Sequence, residues 1–317
     1  MPEDELDEGV RLFVTEVTKG YAALSGTEPW SAPVARRLVE TVRTPWRQGG
    51  PKMSETIERI APTPHGGVRV RIYRPSPGAS KPALVYMHGG GFTLFSIDTH
   101  DRLMREYAAR ADMVVVGVDY ALSPEARFPV ALEQVVAVVR WLAVEAASLG
   151  IDPDRLAAGG DSAGGNLATS AAIILRDAGE GQHLKALLLS YGGFGGDVSD
   201  ATEDLYGGGR YMLNREESRF YWRNYLGDSD PENNPLARPI RARLEGLPPC
   251  FLVIAECDIN VEQNTLMAER LEQAGVEVRA NIYKGATHSF LEAMSVSAVA
   301  NQAIDDSAAW LRKTLGV

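Results

Sequence analysis

A serine with glycine two residues before it and two after it stands in Gly160-Asp161-Ser162-Ala163-Gly164. A serine hydroxyl is a weak nucleophile until a base takes its proton, and it is best presented on a tight turn between a strand and a helix. The neighbouring sequence has that form. The apolar run Leu156-Ala157-Ala158-Gly159 precedes the motif, and residues 166–175 continue it with helical spacing. Small residues at 160 and 164 leave room for the strained backbone that such a turn imposes on Ser162. The competing reading is a glycine-containing helix start with Ser162 as its N-cap.

A second signal is His88-Gly89-Gly90-Gly91-Phe92, directly after the apolar run 83–87. Consecutive glycines let backbone N–H groups point at a ligand, and a tetrahedral oxyanion needs such donors about 3 Å away. The predicted oxyanion hole comprises Gly89, Gly90, Gly91 and Ala163: the N–H groups of Gly90, Gly91 and Ala163 donate, and Gly89 shapes the turn. No Walker lysine follows and no G-x-G-x-x-G is present, which argues against a phosphate cradle. His88 is expected to hold this loop by hydrogen bonding.

The base must be one of five histidines, His65, His88, His100, His183 and His288. Only His288 sits in a loop just after a late strand, in Lys284-Gly285-Ala286-Thr287-His288-Ser289-Phe290. An imidazole acting as base needs an acceptor that holds its tautomer. Asp258, in Ala255-Glu256-Cys257-Asp258-Ile259-Asn260, follows the preceding strand and completes the chain order Ser, Asp, His of α/β-hydrolases. Glu256, two residues earlier, is the rival for that role. Asp161 is expected to anchor structure, and so are Tyr120 and Glu125.

These residues need a sheet to hold them. From Val68 onward, short β-branched runs alternate with apolar-periodic segments, the pattern of strands joined by helical crossovers. Strands are predicted at 68–74, 83–88, 113–118, 156–159, 186–190, 251–255 and 277–283, and helices at 98–110, 130–147, 163–176, 262–274 and 298–314. The fold class is α/β, the α/β-hydrolase fold, with a doubly wound, mostly parallel sheet and its ligand site at the C-terminal strand edge. Residues 1–60 and 195–247 break the rhythm. They are read as helical cap segments on a catalytic core made of 61–194 and 248–317, and the aromatics around 206–225 either line a substrate pocket or pack the cap.

Composition excludes other classes. The chain has 317 residues, a net charge of −10 and 45% hydrophobic residues, so it can bury a large core but lacks the basic excess that a nucleic-acid partner requires. The acidity favours neutral small-molecule esters over carboxylate-bearing ligands. The acidic start MPEDELDEGV is unlike a secretory signal and no apolar run could span a bilayer, so a cytoplasmic protein without a membrane span is expected. Cys250 and Cys257 flank one strand roughly 20 Å apart, too far for a mutual disulfide, and no second ligand stands at metal spacing.

With these motifs assembled, the chain resembles the hormone-sensitive-lipase-like esterases, the bacterial family IV group, from about residue 67 to 311. The resemblance rests on HGGGF at 88–92, Thr99-His100-Asp101, Asp119-Tyr120 with Ser123-Pro124-Glu125 and Phe128-Pro129, Asp152-Pro153-Asp154-Arg155, and the segment 159–166. It implies a cap from the N-terminus and an insertion, no cofactor and no metal, hydrolysis of short- to medium-chain acyl esters through an acyl-enzyme, and a homodimer through an edge strand. Two positions depart from the family pattern. Asp258-Ile259-Asn260-Val261-Glu262 replaces the usual Asp-Pro-Leu-Arg-Asp, and Ser289 stands where glycine is usual. Hydrolysis of a lactone or an N- or O-acetyl group on the same residues, a non-catalytic ligand receptor, and an oligopeptidase-type protease are the alternatives.

Overall fold

The computed structural model describes residues 5–24, 31–78, 80–227 and 234–317. Parts of the two predicted cap segments, at 1–4, 25–30 and 228–233, lie outside the described residues. The strands are β1 (Glu55–Thr63), β2 (Gly66–Arg74), β3 (Lys81–Met87), β4 (Val114–Val118), β5 (Ile151–Asp161), β6 (Ala186–Ser190), β7 (Cys250–Cys257) and β8 (Val278–Thr287). They form one sheet in the order β1-β2-β4-β3-β5-β6-β7-β8. The two pairings at the β1 edge, β1 with β2 and β2 with β4, are antiparallel, and all others are parallel.

The central strands are buried and apolar along most of their paired length because both faces of the sheet are covered. Val85 and Met87, Val114 and Val116, Leu187 and Leu189, and Leu252 and Ile254 face one core. Leu84 and Tyr86, Val115, Leu188, and Phe251 and Val253 face the other. Helices α4 (Val130–Glu145), α5 (Ala163–Asp177) and α8 (Val261–Gln273) cover the first face, and α3 (Asp101–Ala111) and α9 (Ala298–Leu315) cover the second. The chain leaves β3 in one direction to reach β4 and returns on the other side to reach β5. The switch point therefore lies between β3 and β5, which pair in register from Ala83 opposite Leu156 to Met87 opposite Gly160. Open α/β sheets place their ligands at such a point.

Two local findings differ from the sequence reading. Residues 55–63 form β1, an edge strand, so residues 55–60 belong to the sheet rather than to an N-terminal addition. Its burial pattern hides the strand, because it is almost wholly exposed and only Ala61 is buried. The strand before His288 runs on to Thr287, four residues beyond the predicted end, which brings the histidine directly to the strand terminus.

Ahead of the sheet lie α1 (Glu8–Leu24) and α2 (Ala32–Arg43), and between β6 and β7 lie α6 (Asp200–Tyr206) and α7 (Arg215–Leu226). Val10, Phe13, Val14 and Val17 of α1 join the core that α3 and α9 complete. Tyr225 of α7 stacks on Phe92 at 3.7 Å, and its carbonyl accepts the Phe128 N–H at 2.8 Å. Helix α2 is fastened by Arg36, whose guanidinium donates to the carbonyls of Thr93 and Ser123, both at 2.8 Å, and pairs with the Glu125 carboxylate at 2.7 Å. Cys250 and Cys257, at the two ends of β7, are free and buried. No helix among the described residues is long and apolar enough to cross a membrane.

Arg36→Ala is expected to lower unfolding free energy by about 2 kcal/mol, because it strips a charged donor from two backbone carbonyls as well as from Glu125. Glu125→Ala, which removes a largely exposed partner, is expected to cost less in the same urea titration.

Candidate active site

Ser162 stands at the end of β5 with φ +53° and ψ −115°, a conformation that non-glycine residues seldom adopt. Its own peptide groups hold it there. The Ser162 N–H donates to the Ser190 carbonyl at 2.9 Å, and its carbonyl accepts N–H groups of Gly165 and Gly193, both at 3.1 Å. Gly160 and Gly164 are needed for contact: a Cβ on either would run into the Met87 carbonyl at the end of β3. The turn thus aims the hydroxyl off the sheet edge and starts α5, whose N-terminal dipole favours negative charge at this spot.

His288 Nε2 lies 2.9 Å from Ser162 Oγ, and His288 Nδ1 lies 2.7 Å from Asp258 Oδ2. The other oxygen, Asp258 Oδ1, accepts the Asn260 N–H at 2.9 Å, which fixes the carboxylate plane. Burial disfavours a charged His288, but the Asp258 carboxylate outweighs it and holds the imidazole pKa above its ordinary value. The Tyr191 ring meets the imidazole edge-on, with centroids 5.1 Å apart. Glu256 faces elsewhere: its carboxylate accepts the Gly285 N–H at 2.9 Å. The carboxylate beside the imidazole is therefore Asp258.

The glycine loop leaves the neighbouring strand end. Gly90 and Gly91 adopt φ +105° and +59°, and with Ser162 and Ala163 they line one cavity. Gly89 has another task, since its N–H donates to Asp161 Oδ1 at 3.1 Å. It shapes the loop and is not available as a donor to substrate. Asp161 also accepts the Tyr86 hydroxyl at 2.8 Å and faces His100 Nε2 at 3.3 Å. Though burial opposes it, the neighbouring His100 keeps the Asp161 carboxyl below its ordinary pKa, and Asp161 in turn raises His100. His88 is pushed down to about 4, by burial first and then by the nearby His100. It stacks on Tyr120 at 4.4 Å, and the Tyr120 hydroxyl donates to the His88 carbonyl at 2.7 Å. His65 pairs with Glu133 on the surface.

A cavity of about 790 Å³ opens over Ser162. Sequence reasoning missed much of its wall. Val34, Leu38 and Arg43 of α2, Tyr21 of α1, and the polar pair Asn260 and Gln263 all line it, whereas Tyr221 and Trp222 of α7 belong to the aromatic set that the sequence offered as a pocket lining. The α2 residues recur at helical spacing and could have been read as a face, but nothing in their types marks that face as a pocket wall rather than core. Gln263 Oε1 accepts the Phe194 N–H at 2.8 Å, and Asn264 Oδ1 accepts the Gly192 N–H at 2.9 Å, so α8 also braces the start of the insertion. No cluster of potential metal ligands occurs among the described residues.

A serine, an imidazole and a carboxylate in line above the ends of β5, β7 and β8, next to a glycine loop after β3, define the class: an α/β-hydrolase. Comparison with known proteins agrees. A family model described as alpha/beta hydrolase fold matches residues 84–292. A curated acetyl esterase of Salmonella paratyphi B is 34% identical over 293 residues, covering 89% of this chain and 88% of the relative. Among solved structures, a hyperthermophilic esterase from the archaeon Pyrobaculum calidifontis superposes with a TM-score of 0.90 at 32% identity over 99% of both chains. A thermostable carboxylesterase cloned from a metagenomic library superposes with a TM-score of 0.86 at 35% identity, over 90% of this chain and 98% of the other. The chain belongs to the alpha/beta hydrolase family, in its hormone-sensitive-lipase-like branch.

Asp161→Ala should cost about 3 kcal/mol of stability, because it strands the buried Tyr86 hydroxyl, the Gly89 N–H and His100 Nε2 together. Asp161→Asn, which keeps an acceptor oxygen, should cost less; equal losses in urea denaturation would contradict this reading.

Proposed function

We propose that this serine carboxylesterase hydrolyses esters of short- to medium-chain acids, with Ser162 as nucleophile, His288 as base and Asp258 as the residue that orients the base. The observation that carries the reading is the imidazole held between Asp258 and Ser162 at 2.7 and 2.9 Å over a cavity lined by Gly90, Gly91 and Ala163. Similarity to curated acetyl esterases supports an ester substrate with a small acyl group.

In the proposed reaction, the ester carbonyl carbon sits beside Ser162 Oγ and its oxygen faces the three backbone N–H groups. His288, carrying its proton on Nδ1 toward Asp258, takes the serine proton on Nε2 as the C–O bond forms. The tetrahedral oxyanion is held by the glycine-loop donors and the N-terminus of α5. The imidazolium returns the proton to the departing alcohol, leaving Ser162 acylated. Water, deprotonated by the same imidazole, then releases the acid and restores the hydroxyl.

Ser162→Ala is expected to lower kcat on p-nitrophenyl butyrate by roughly 10⁵-fold, and Asp258→Asn by about 10⁴-fold. Glu256→Ala should leave turnover near wild type, and equal large losses for the two carboxylates would sink the assignment of Asp258. A p-nitrophenyl series from acetate to palmitate should peak at the short end. If ester turnover is absent while a lactone or an anilide is cleaved, the alternative substrates gain.

The pH profile supplies an independent check. His288 must be neutral to act as base, and its pKa is raised, so kcat/KM should fall as pH drops with a midpoint above 6.5. A midpoint below that value would show that Asp258 does not dominate the imidazole.

A further inference from the structure

Arg43, the last residue of α2, is buried to 1% exposure although it carries a charge and belongs to a helix that roofs the cavity. Its Nε lies 2.7 Å from Glu292 Oε2, and both side chains are almost completely shielded from solvent. Glu292 sits four residues beyond His288, on the short turn Phe290–Ala293, and its N–H donates to the Ser289 carbonyl at 3.0 Å. Three rings surround the guanidinium: Phe13 at 5.2 Å and Tyr21 at 5.7 Å from α1, and Phe95 at 5.2 Å from the segment that follows the glycine loop. Phe95 itself packs close to Gly90. One cap side chain thus touches the loop that carries the base, the segment that carries the proposed oxyanion donors, and the cavity.

Desolvating a guanidinium costs several kcal/mol unless opposite charge and ring faces compensate. The compensation here comes from three separate parts of the chain. Arg43 Nη1 and both Glu292 oxygens have no aligned hydrogen bond among the described residues, so the two charges depend on each other. Moving α2 away would strand Glu292 beside the base loop.

We propose that Arg43 is a positioning residue: through Glu292 and Phe95 it sets the base loop and the glycine loop in their working arrangement only when the cap helix α2 is seated. The proposal rests on His288 being the base. Cap seating, on this reading, is a condition for turnover as well as a wall for substrate. Loss of Arg43 therefore falls mainly on kcat rather than on KM.

Four carboxylates face His288 electrostatically: Asp258 after β7, Asp161 at the end of β5, Glu292 on its own turn and Glu217 on α7. Removing the Glu292 charge lowers the imidazole pKa, whereas removing the Arg43 charge leaves Glu292 uncompensated and raises it. The acid limbs of the two variants should therefore move in opposite directions.

The test uses the full chain and the variants Arg43→Met, Arg43→Lys, Glu292→Gln and Arg43→Met/Glu292→Gln. Active sites are counted by stoichiometric p-nitrophenol release from a p-nitrophenyl phosphonate, with Ser162→Ala as blank. Per titrated site, Arg43→Met should lower kcat on p-nitrophenyl butyrate by roughly 10- to 100-fold with little change in KM. Arg43→Lys should recover part of the loss, and the double variant should recover part by removing the stranded carboxylate. The acid limb should move up in Arg43→Met and down in Glu292→Gln. Wild-type kcat per site with unmoved acid limbs, whatever the thermal stability, would overturn the proposal. If Arg43→Met does not fold, Glu292→Gln decides alone by the same two readouts. Failure of the wild type to titrate at Ser162 would instead strike the nucleophile assignment on which the proposal rests.

Discussion

The whole site hangs on a backbone contact, the Met87 carbonyl pressed against the glycines on either side of Ser162. A positive φ at a serine costs of order 1–3 kcal/mol, and it persists only where surrounding structure over-determines it. Here the strand pairing of β3 with β5, the carbonyl of Ser190 and the N–H groups of Gly165 and Gly193 supply that determination. The same contact explains why the glycine loop and the serine turn emerge side by side. They continue two strands that are locked in register one residue earlier.

Beneath that contact lies a charge with no access to water. Asp161 is satisfied by a phenol, a backbone N–H and His100, and so it ties the start of the glycine loop to the serine turn. The rings of His88 and His100 are 5.6 Å apart, too close for both to be charged in a dry interior. Burial disfavours charge on either ring, but the Asp161 carboxylate outweighs it and raises His100, while His88 is pushed down to about 4 and stacks on Tyr120. The Asp161 carboxylate, after Asp258, also favours a charged His288, so this layer adds to the field on the imidazole above it.

The α/β class and the parallel order were legible because the central strands are apolar on both faces and each is followed by a helix with a clear period. The residues now found around Ser162 were legible because their local chemistry is unusual: consecutive glycines, a serine between glycines, a histidine in a late loop. The sequence left both Asp258 and Glu256 open, since two residues along a strand is one face; in the structure the Asp258 carboxylate lies against His288 Nδ1, while Glu256 accepts the Gly285 N–H. Edge strand β1 was not legible, because a strand with one buried side chain carries no hydrophobic alternation. Arg43 was equally hidden. Nothing in a helix-terminal arginine announces that it will be buried, and only the distant aromatic residues and Glu292 make that possible.

The two buried cysteines of β7 have a practical meaning for anyone wishing to watch helix α2. Burial raises both thiols, Cys257 to about 12 and Cys250 further, so neither supplies appreciable thiolate at neutral pH. The native fold is therefore nearly silent toward maleimides and iodoacetamides. A single cysteine placed on the outer face of α2 would be the one reactive thiol of the folded molecule, and a fluorophore or spin label attached there would report the movement of that helix against a blank background without first stripping the natural cysteines from the core.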